Sequence, residues 1–332
     1  MILRGLGVYL PAQRQTAADI AAASGVPEAV VCDKLGIRAK TVPGPEDHSN
    51  AMGIRAARAA LADARIAPEQ IDVLISITEE HKEYPVWTAG IHAAHALGAT
   101  RAYAYDVGQK CGTAVLALKL ARDALAANPE MNAVLIAGGY RNCDLVDYRD
   151  PATRFLNNLA AGGGAAVVTR EGPGFEILGA GFHTDGSFSE DVIVPVGGTR
   201  EPLTAANLDR FRFTVPDPER MKARLEERSL SNFVAVIREA CERSGVRSED
   251  LAYVAMLHMK RSAHEAVLAR IGVPAQRSIY LSDYGHIGQI DPLLSLLLAR
   301  DQRRLRDGDA IVLCAAGIGY VWNALCLRYR AP

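Results

Sequence analysis

Nowhere does the 332-residue chain run apolar for the ~20 residues that a membrane-spanning helix needs. Nor does it open on a signal peptide. MILRGLGVYLPAQ has neither a long apolar core nor a small-residue cleavage site, so a cytoplasmic protein is expected. An excess of one sign of charge is missing too. Lys and Arg number 37 and Asp and Glu 38, and the basic residues are scattered, which argues against a nucleic-acid or membrane surface. The six cysteines, at 32, 111, 143, 241, 314 and 326, include no CxxC pair. Without an export signal, reduced thiols are the expected state, and five of the six read as small core hydrophobes. Low-complexity segments and long linkers are absent as well.

What is present is a large apolar complement, 49% of residues, enough for a sizeable core. The length suits two domains or one duplicated α/β unit. Buried-strand runs at 71–78, 102–107, 133–138, 251–258, 278–282 and 310–314 alternate with Ala-rich helical patterns. Those helical patterns cover 51–64, 86–97, 113–127, 230–244 and 263–271, and the alternation reads as α/β. Ser49 and Asn50 are expected N-caps for the first helix.

The chain also repeats itself. Residues 58–78 fall on 238–258 without a gap, matching Arg58 with Arg238, Ala60 with Ala240 and Glu69 with Glu249. Segments 102–112 and 278–288 follow at nearly the same offset, then 133–139 and 311–317. Chance similarity of Ala-rich helices is the bland alternative. The repeat predicts two similar halves, 1–175 and 176–332. Segment 181–228 has no counterpart and reads as an inserted cap.

Cys111 stands where the strand pattern AYAYDV gives way to a helix, between Gly108 and Gly112. A helix N-terminus offers unpaired N–H groups and partial positive charge, which favour thiolate. A thiolate accepts an acyl group from a thioester in a nearly isoenergetic exchange. His258 ends the strand that mirrors 71–78, at a sheet edge where α/β proteins hold ligands. There it can polarise a carbonyl or hold a proton. His286 lies in the turn that mirrors the Cys111 turn, so Cys111 and His286 are predicted to converge near the pseudo-twofold axis.

Glu79 and Glu80 follow the strand 71–78 directly, and a carboxylate there is a candidate general base; a solvated loop acid is the competing reading. Gly317-Ile318-Gly319 follows another strand, where a glycine-flanked turn can aim a backbone N–H at a developing oxyanion. Gly162, Gly163 and Gly164 fit no phosphate-loop spacing and read as close strand packing. His92 and His95 lack acidic or cysteine partners, so no metal site is expected. Trp322 reads as core. Trp87 reads as core, pocket wall or subunit contact.

Taken together, these segments resemble the ketoacyl-ACP synthase III branch of the thiolase superfamily nearly end to end. LGIRAK (35–40) is similar to the family's TGIRER, and DVGQKCGTAVLAL to its nucleophile segment. HTDGSFSEDVIVPVGGTREP resembles its DGS…PxGG…P stretch, and GIGYVWNALCLRY its GGGFTWGA strand. LHMKRSAHEAV occupies the place of its PHQAN segment, and DYGHIGQID that of YGNTSAAS. The resemblance implies a thiolase-like fold, a duplicated five-layer αβαβα sandwich, and a homodimer. It implies an acyltransferase without a permanently bound cofactor, loading an acyl group from acyl-CoA or acyl-carrier protein, a phosphopantetheine thioester, onto Cys111. Decarboxylative Claisen condensation with a malonyl thioester is the first expectation, in fatty acid or polyketide biosynthesis.

Departures from the family pattern open alternatives. His286 replaces the asparagine that, with the histidine at 258, binds the malonyl thioester carbonyl in typical members. Members lacking that asparagine include acyltransferases that form esters, so O- or N-acyl transfer is the second expectation. Met259-Lys260-Arg261 replaces Gln-Ala-Asn, and the tryptophan that stacks on CoA adenine is absent near Val30. Lys34, Arg38, Arg154 and Arg261 remain as basic candidates for the CoA or carrier-protein entrance. Glu79 admits a condensation like that of hydroxymethylglutaryl-CoA synthases. A non-catalytic partner subunit of a heteromeric ketosynthase is the rival outside catalysis.

Overall fold

The computed structural model describes residues 1–331. In chain order its main elements are β1 (Ile2–Tyr9), β2 (Arg14–Thr16), α1 (Ala17–Ser24), β3 (Ala39–Thr41), α2 (Ser49–Ala64) and β4 (Val73–Ser76). Then come α3 (Ala89–Leu97), β5 (Tyr103–Asp106), α4 (Thr113–Ala127), β6 (Ala133–Tyr140), β7 (Gly162–Thr169) and β8 (Gly174–Thr184). The chain closes with α5 (Pro218–Glu242), β9 (Tyr253–Met256), α6 (Arg261–Ile271), α7 (Asp291–Asp301), β10 (Ala310–Gly317) and β11 (Val321–Arg330).

The strands run in the order β5-β4-β6-β7-β1-β8-β11-β10-β9. In the first half β4 and β6 pair parallel, β6 and β7 antiparallel, and β7 and β1 antiparallel. The second half repeats those three relations in β9, β10, β11 and β8. The two half-sheets meet where Ile2 and Leu3 of β1 pair with Glu176 and Phe175 of β8.

Small residues set how closely the helices lie on the sheet. A Cβ added to Gly5 would come within 2.3 Å of Ala60 O, and one on Gly7 within 2.1 Å of Ala56 O. The glycines of β1 and the alanines of α2 are therefore one packing device, in which absent side chains let backbones touch. Gly163 of β7 is pressed on Met52 of the same helix, which is the close strand packing read from the glycine run. Helices α4 and α7 each touch strands of both halves. α7 is buried at Leu293, Leu294, Leu296 and Ala299, as a helix with neighbours on all sides must be. Outer helices, two half-sheets and this central helical pair make the five layers of a thiolase-like fold.

Several sequence expectations need correction. Segment 278–282 forms no strand; Ser278 and Ser282 instead hydrogen-bond locally and to Val254 O and Arg38 N. Of the stretch 181–228, only 185–217 lies outside the main elements, because β8 runs to Thr184 and α5 begins at Pro218. The charged run before residue 230 is the solvated part of that 25-residue helix. Helix α2 begins at Ser49 behind His48, and Ser49 Oγ donates to His81 O instead of capping. Trp322 is buried, as expected of core. No helix among the described residues is long and apolar enough to cross a membrane.

Candidate active site

Cys111 lies in a single 3₁₀ turn, Lys110–Gly112, that feeds directly into α4. Its loop is tied from several directions. Thr113 Oγ1 accepts from Gln109 N at 2.8 Å and donates to Lys110 O at 2.6 Å. From β11, Asn323 Nδ2 donates to Gln109 Oε1 and Gly112 O, each at 2.9 Å. Lys110, just before the thiol, sits at φ 52°, a left-handed conformation unusual for a residue with a Cβ. The Gly317–Gly319 turn reaches this loop: a Cβ on Gly317 would lie 2.4 Å from Gln109 O. Ile318, between those two glycines, is partly buried against the core.

The second half supplies the partners. His286 Nε2 lies 3.2 Å from Cys111 Sγ, so the predicted convergence is present. His286 Nδ1 lies 2.5 Å from Asp291 Oδ2. Asp291 opens α7 and is fully buried; its carboxylate also accepts from Ile287 N and His258 N, both at 2.8 Å. Cys111, His286 and Asp291 thus form a line of thiol, imidazole and carboxylate, the arrangement in which an oriented base activates a nucleophile. Burial opposes charge on the His286 ring, but the Cys111 sulfur and the Asp291 carboxylate outweigh it and hold the pKa well above 6.5. With that ring protonated, Nε2–H donates to the sulfur and Nδ1–H to the carboxylate.

His258 occupies a different position. Its Nε2–H donates to Gly36 O at 3.3 Å, and Asn158 Nδ2 donates to its Nδ1 at 3.2 Å, the neutral tautomer these partners require. Burial, only partly opposed by Asp291, pushes its pKa down to about 4. Both ring nitrogens are engaged by groups other than Cys111.

Glu79 is buried, not solvated. Burial and the neighbouring Glu80 carboxylate push its pKa up to about 8, against the pull of Lys110. Lys110 Nζ lies 2.6 Å from Glu80 Oε2 and 4.0 Å from Glu79 Oε2, and that Glu79 oxygen has no hydrogen-bond partner. Lys34, Arg38, Arg154 and Arg261 are all exposed. The turn carrying Lys34 packs against the 151–158 turn, which carries Arg154, and against α6, which Arg261 opens. Arg38 pairs with Asp283, and the Arg261 guanidinium lies 4.1 Å over the Tyr280 ring. Trp87 is half-buried against Tyr84 and His92, beside the edge strand β5. Among the described residues no His, Cys, Asp and Glu groups are arranged to hold a metal ion.

Cys111 and His286 meet as the sequence pattern predicts, while Asp291, Asn158 and Asn323, which that pattern did not single out, hold the two histidines and the Cys111 loop. Asp291 carried a usable signal: an Asp-Pro pair five residues after a candidate base marks a helix start.

Comparisons with known proteins agree with this architecture. Two models of one family match the chain, 3-oxoacyl-[acyl-carrier-protein] synthase III over residues 105–186 and its C-terminal part over 241–329. A β-ketoacyl-[acyl-carrier-protein] synthase III of Roseiflexus castenholzii is 28% identical, covering 99% of this chain and 98% of the relative. A 3-oxopimeloyl-[acyl-carrier-protein] synthase of Rhodothermus marinus is 27% identical, covering 98% and 92%. The crystal structure of 3-oxoacyl-[acyl-carrier-protein] synthase III from Aquifex aeolicus has the same fold, with a TM-score of 0.85, 24% identity and 99% coverage of each chain.

Proposed function

Because the chain belongs to the 3-oxoacyl-[acyl-carrier-protein] synthase III family of thiolase-fold condensing enzymes, and is an acyltransferase, we propose that it self-acylates on Cys111. The donor is an acyl-CoA or an acyl-carrier-protein thioester. The observation that carries this reading is the 3.2 Å contact between Cys111 Sγ and His286 Nε2, with Asp291 behind the ring. The imidazolium leaves a thiolate to attack the thioester carbonyl, and the departing thiol takes the proton from Nε2. The Cys111 N–H and the Gly317–Gly319 turn are the proposed oxyanion donors. Lys34, Arg38, Arg154 and Arg261 receive the anionic arm of the donor.

In the second half-reaction the acyl group passes to a malonyl thioester with loss of CO2, the reaction type that the relatives' names support. Transfer to a hydroxyl or amine is the second reading, favoured by one observation. His286 and Asp291 form a base suited to a protic acceptor, whereas both His258 ring nitrogens are already engaged. A hydroxymethylglutaryl-type role for Glu79 as base is disfavoured, since a carboxyl with its pKa pushed up to about 8 keeps its proton at neutral pH. A non-catalytic subunit is disfavoured by the aligned thiol, imidazole and carboxylate.

We place the protein in the cytoplasm as a homodimer. Cys32, Cys111, Cys143, Cys241, Cys314 and Cys326 are all free thiols. Strand β5 is a sheet edge, flanked by exposed Tyr84, Val86, Ile91 and Tyr103, and a second copy would cover that edge. Trp87 would then join the contact.

The test is incubation with a panel of acyl-CoAs, with mass spectrometry of Cys111, before and after adding malonyl thioester or an alcohol or amine. An adduct followed by CO2 and a β-ketoacyl product supports condensation. An acylated alcohol or amine without CO2 supports the second reading. No adduct with any donor rejects self-acylation.

A further inference from the structure

Lys40 is fully buried on β3, an uncommon place for an ammonium group. Its Nζ donates to Tyr148 OH at 2.8 Å, Asn157 O at 2.8 Å and Leu159 O at 2.6 Å, which uses all three of its protons. No carboxylate is among the groups acting on its charge. Two of those acceptors are carbonyls of one short segment, and that segment holds both histidines. Asn158 O accepts from His286 N at 2.8 Å, and His286 O accepts from Ala160 N at 2.8 Å. Asn158 Nδ2 donates to the His258 ring. Gly285, the residue before His286, packs against Lys40 itself: a Cβ there would lie 2.6 Å from Lys40 Cβ.

We propose that Lys40 is a positioning residue for the site, holding the 157–160 segment so that His286 meets Cys111 and His258 keeps its tautomer. A buried ammonium clamps carbonyls more strongly than a neutral donor does, because charge-assisted hydrogen bonds are the stronger kind. Its deprotonation leaves three acceptors facing two N–H groups and a lone pair. Burial already lowers its pKa to about 8, so the clamp loosens in mildly alkaline solution. Tyr148 and Cys143, the titratable groups facing it, are both pushed up to about 12 by burial and stay neutral throughout that range.

This inference rests on the acylation of Cys111, and the experiment separates the two. An acyl-CoA adduct on wild-type Cys111 tests that reading alone. Alkylation of Cys111 by iodoacetamide, which needs no acyl donor, is then followed against pH in wild type, Lys40→Met and Lys40→Arg, with melting temperature recorded. Lys40→Met is expected to slow Cys111 alkylation at about pH 6 by about 10-fold, because a displaced His286 no longer meets the sulfur. A folded Lys40→Met protein with the wild-type profile overturns the proposal. Should that variant not fold, Lys40→Arg decides. Its guanidinium stays charged, so the alkaline limb of the acylation rate near pH 8 is expected to move up by at least about one pH unit. A limb that stays in place overturns the proposal and belongs to Glu79, whose pKa is also pushed up to about 8.

Discussion

The His258 backbone N–H lies 2.8 Å from Asp291 Oδ2, the same oxygen that meets the His286 ring. One carboxylate therefore orients one histidine by its ring and the other by its main chain. Removing it leaves an imidazole and two backbone donors without a partner in a buried place.

Asp291→Asn keeps the shape but presents N–H groups where an acceptor is needed. Acylation of Cys111 is expected to slow on the order of 10²- to 10⁴-fold. Asp291→Ala is expected to cost about 3–5 kcal/mol of stability as well, measured by denaturant titration. An Asp291→Asn rate within about threefold of wild type would remove Asp291 from the mechanism.

Acid should weaken the fold through two buried rings. Burial pushes both His258 and His264 down to about 4, from 6.5. The unfolded chain then binds more protons than the folded one between those values. This stability is complete above pH 6.5 and lost as pH falls toward 4, by up to about 3 kcal/mol per ring. Melting temperature measured through this window should fall steadily, and His264→Leu should reduce the slope by about half.

Glu79 has the opposite consequence. Its folded pKa, pushed up to about 8 from 4.5, means that its stability contribution is complete below 4.5 and lost as pH rises through 8. Glu79→Gln mimics the protonated carboxyl. The variant is expected to melt at a higher temperature than wild type, with a gain that grows from about pH 5 to about pH 8. It should keep Cys111 acylation at neutral pH, where Glu79 is already protonated. Equal melting temperatures across the range would contradict the assignment.

Lys110 tests the loop that presents the thiol. Its φ of 52° favours glycine, yet its ammonium is tied to Glu80. Lys110→Ala loses the ion pair and keeps the backbone strain, whereas Lys110→Gly loses the pair and relieves the strain. Glycine is expected to be the more stable of the two by about 1 kcal/mol, read from chemical denaturation.

The sequence made the fold legible where periodicity and repetition could speak. The match of 58–78 with 238–258 foretold β4 and β9, and the helix expected at 113–127 is α4 to the residue. Helix α7 was implied only by the repeat, as a helix after the 278–288 turn; its own pattern escaped because Leu293, Leu294, Leu296 and Ala299 are buried on several sides, which erases amphipathic period. Asp291 escaped with it, since an acid at a helix start reads as dipole complement. Cys111 was legible because a strand end and small residues announced its turn, and His286 because the repeat laid 278–288 over that turn. Lys40 was not, because nothing local tells that three acceptors from distant segments converge on it.

Cys111 comes from the first half and His286 with Asp291 from the second, while the half-sheets are stitched together by a two-residue ladder between β1 and β8. Neither half owns the chemistry. During refolding, acylation of Cys111 by a thioester donor should lag behind recovery of helical signal, arriving only when the two halves dock. Catalytic competence is thus a reporter of the final assembly step, and a partially folded chain leaves the thioester untouched.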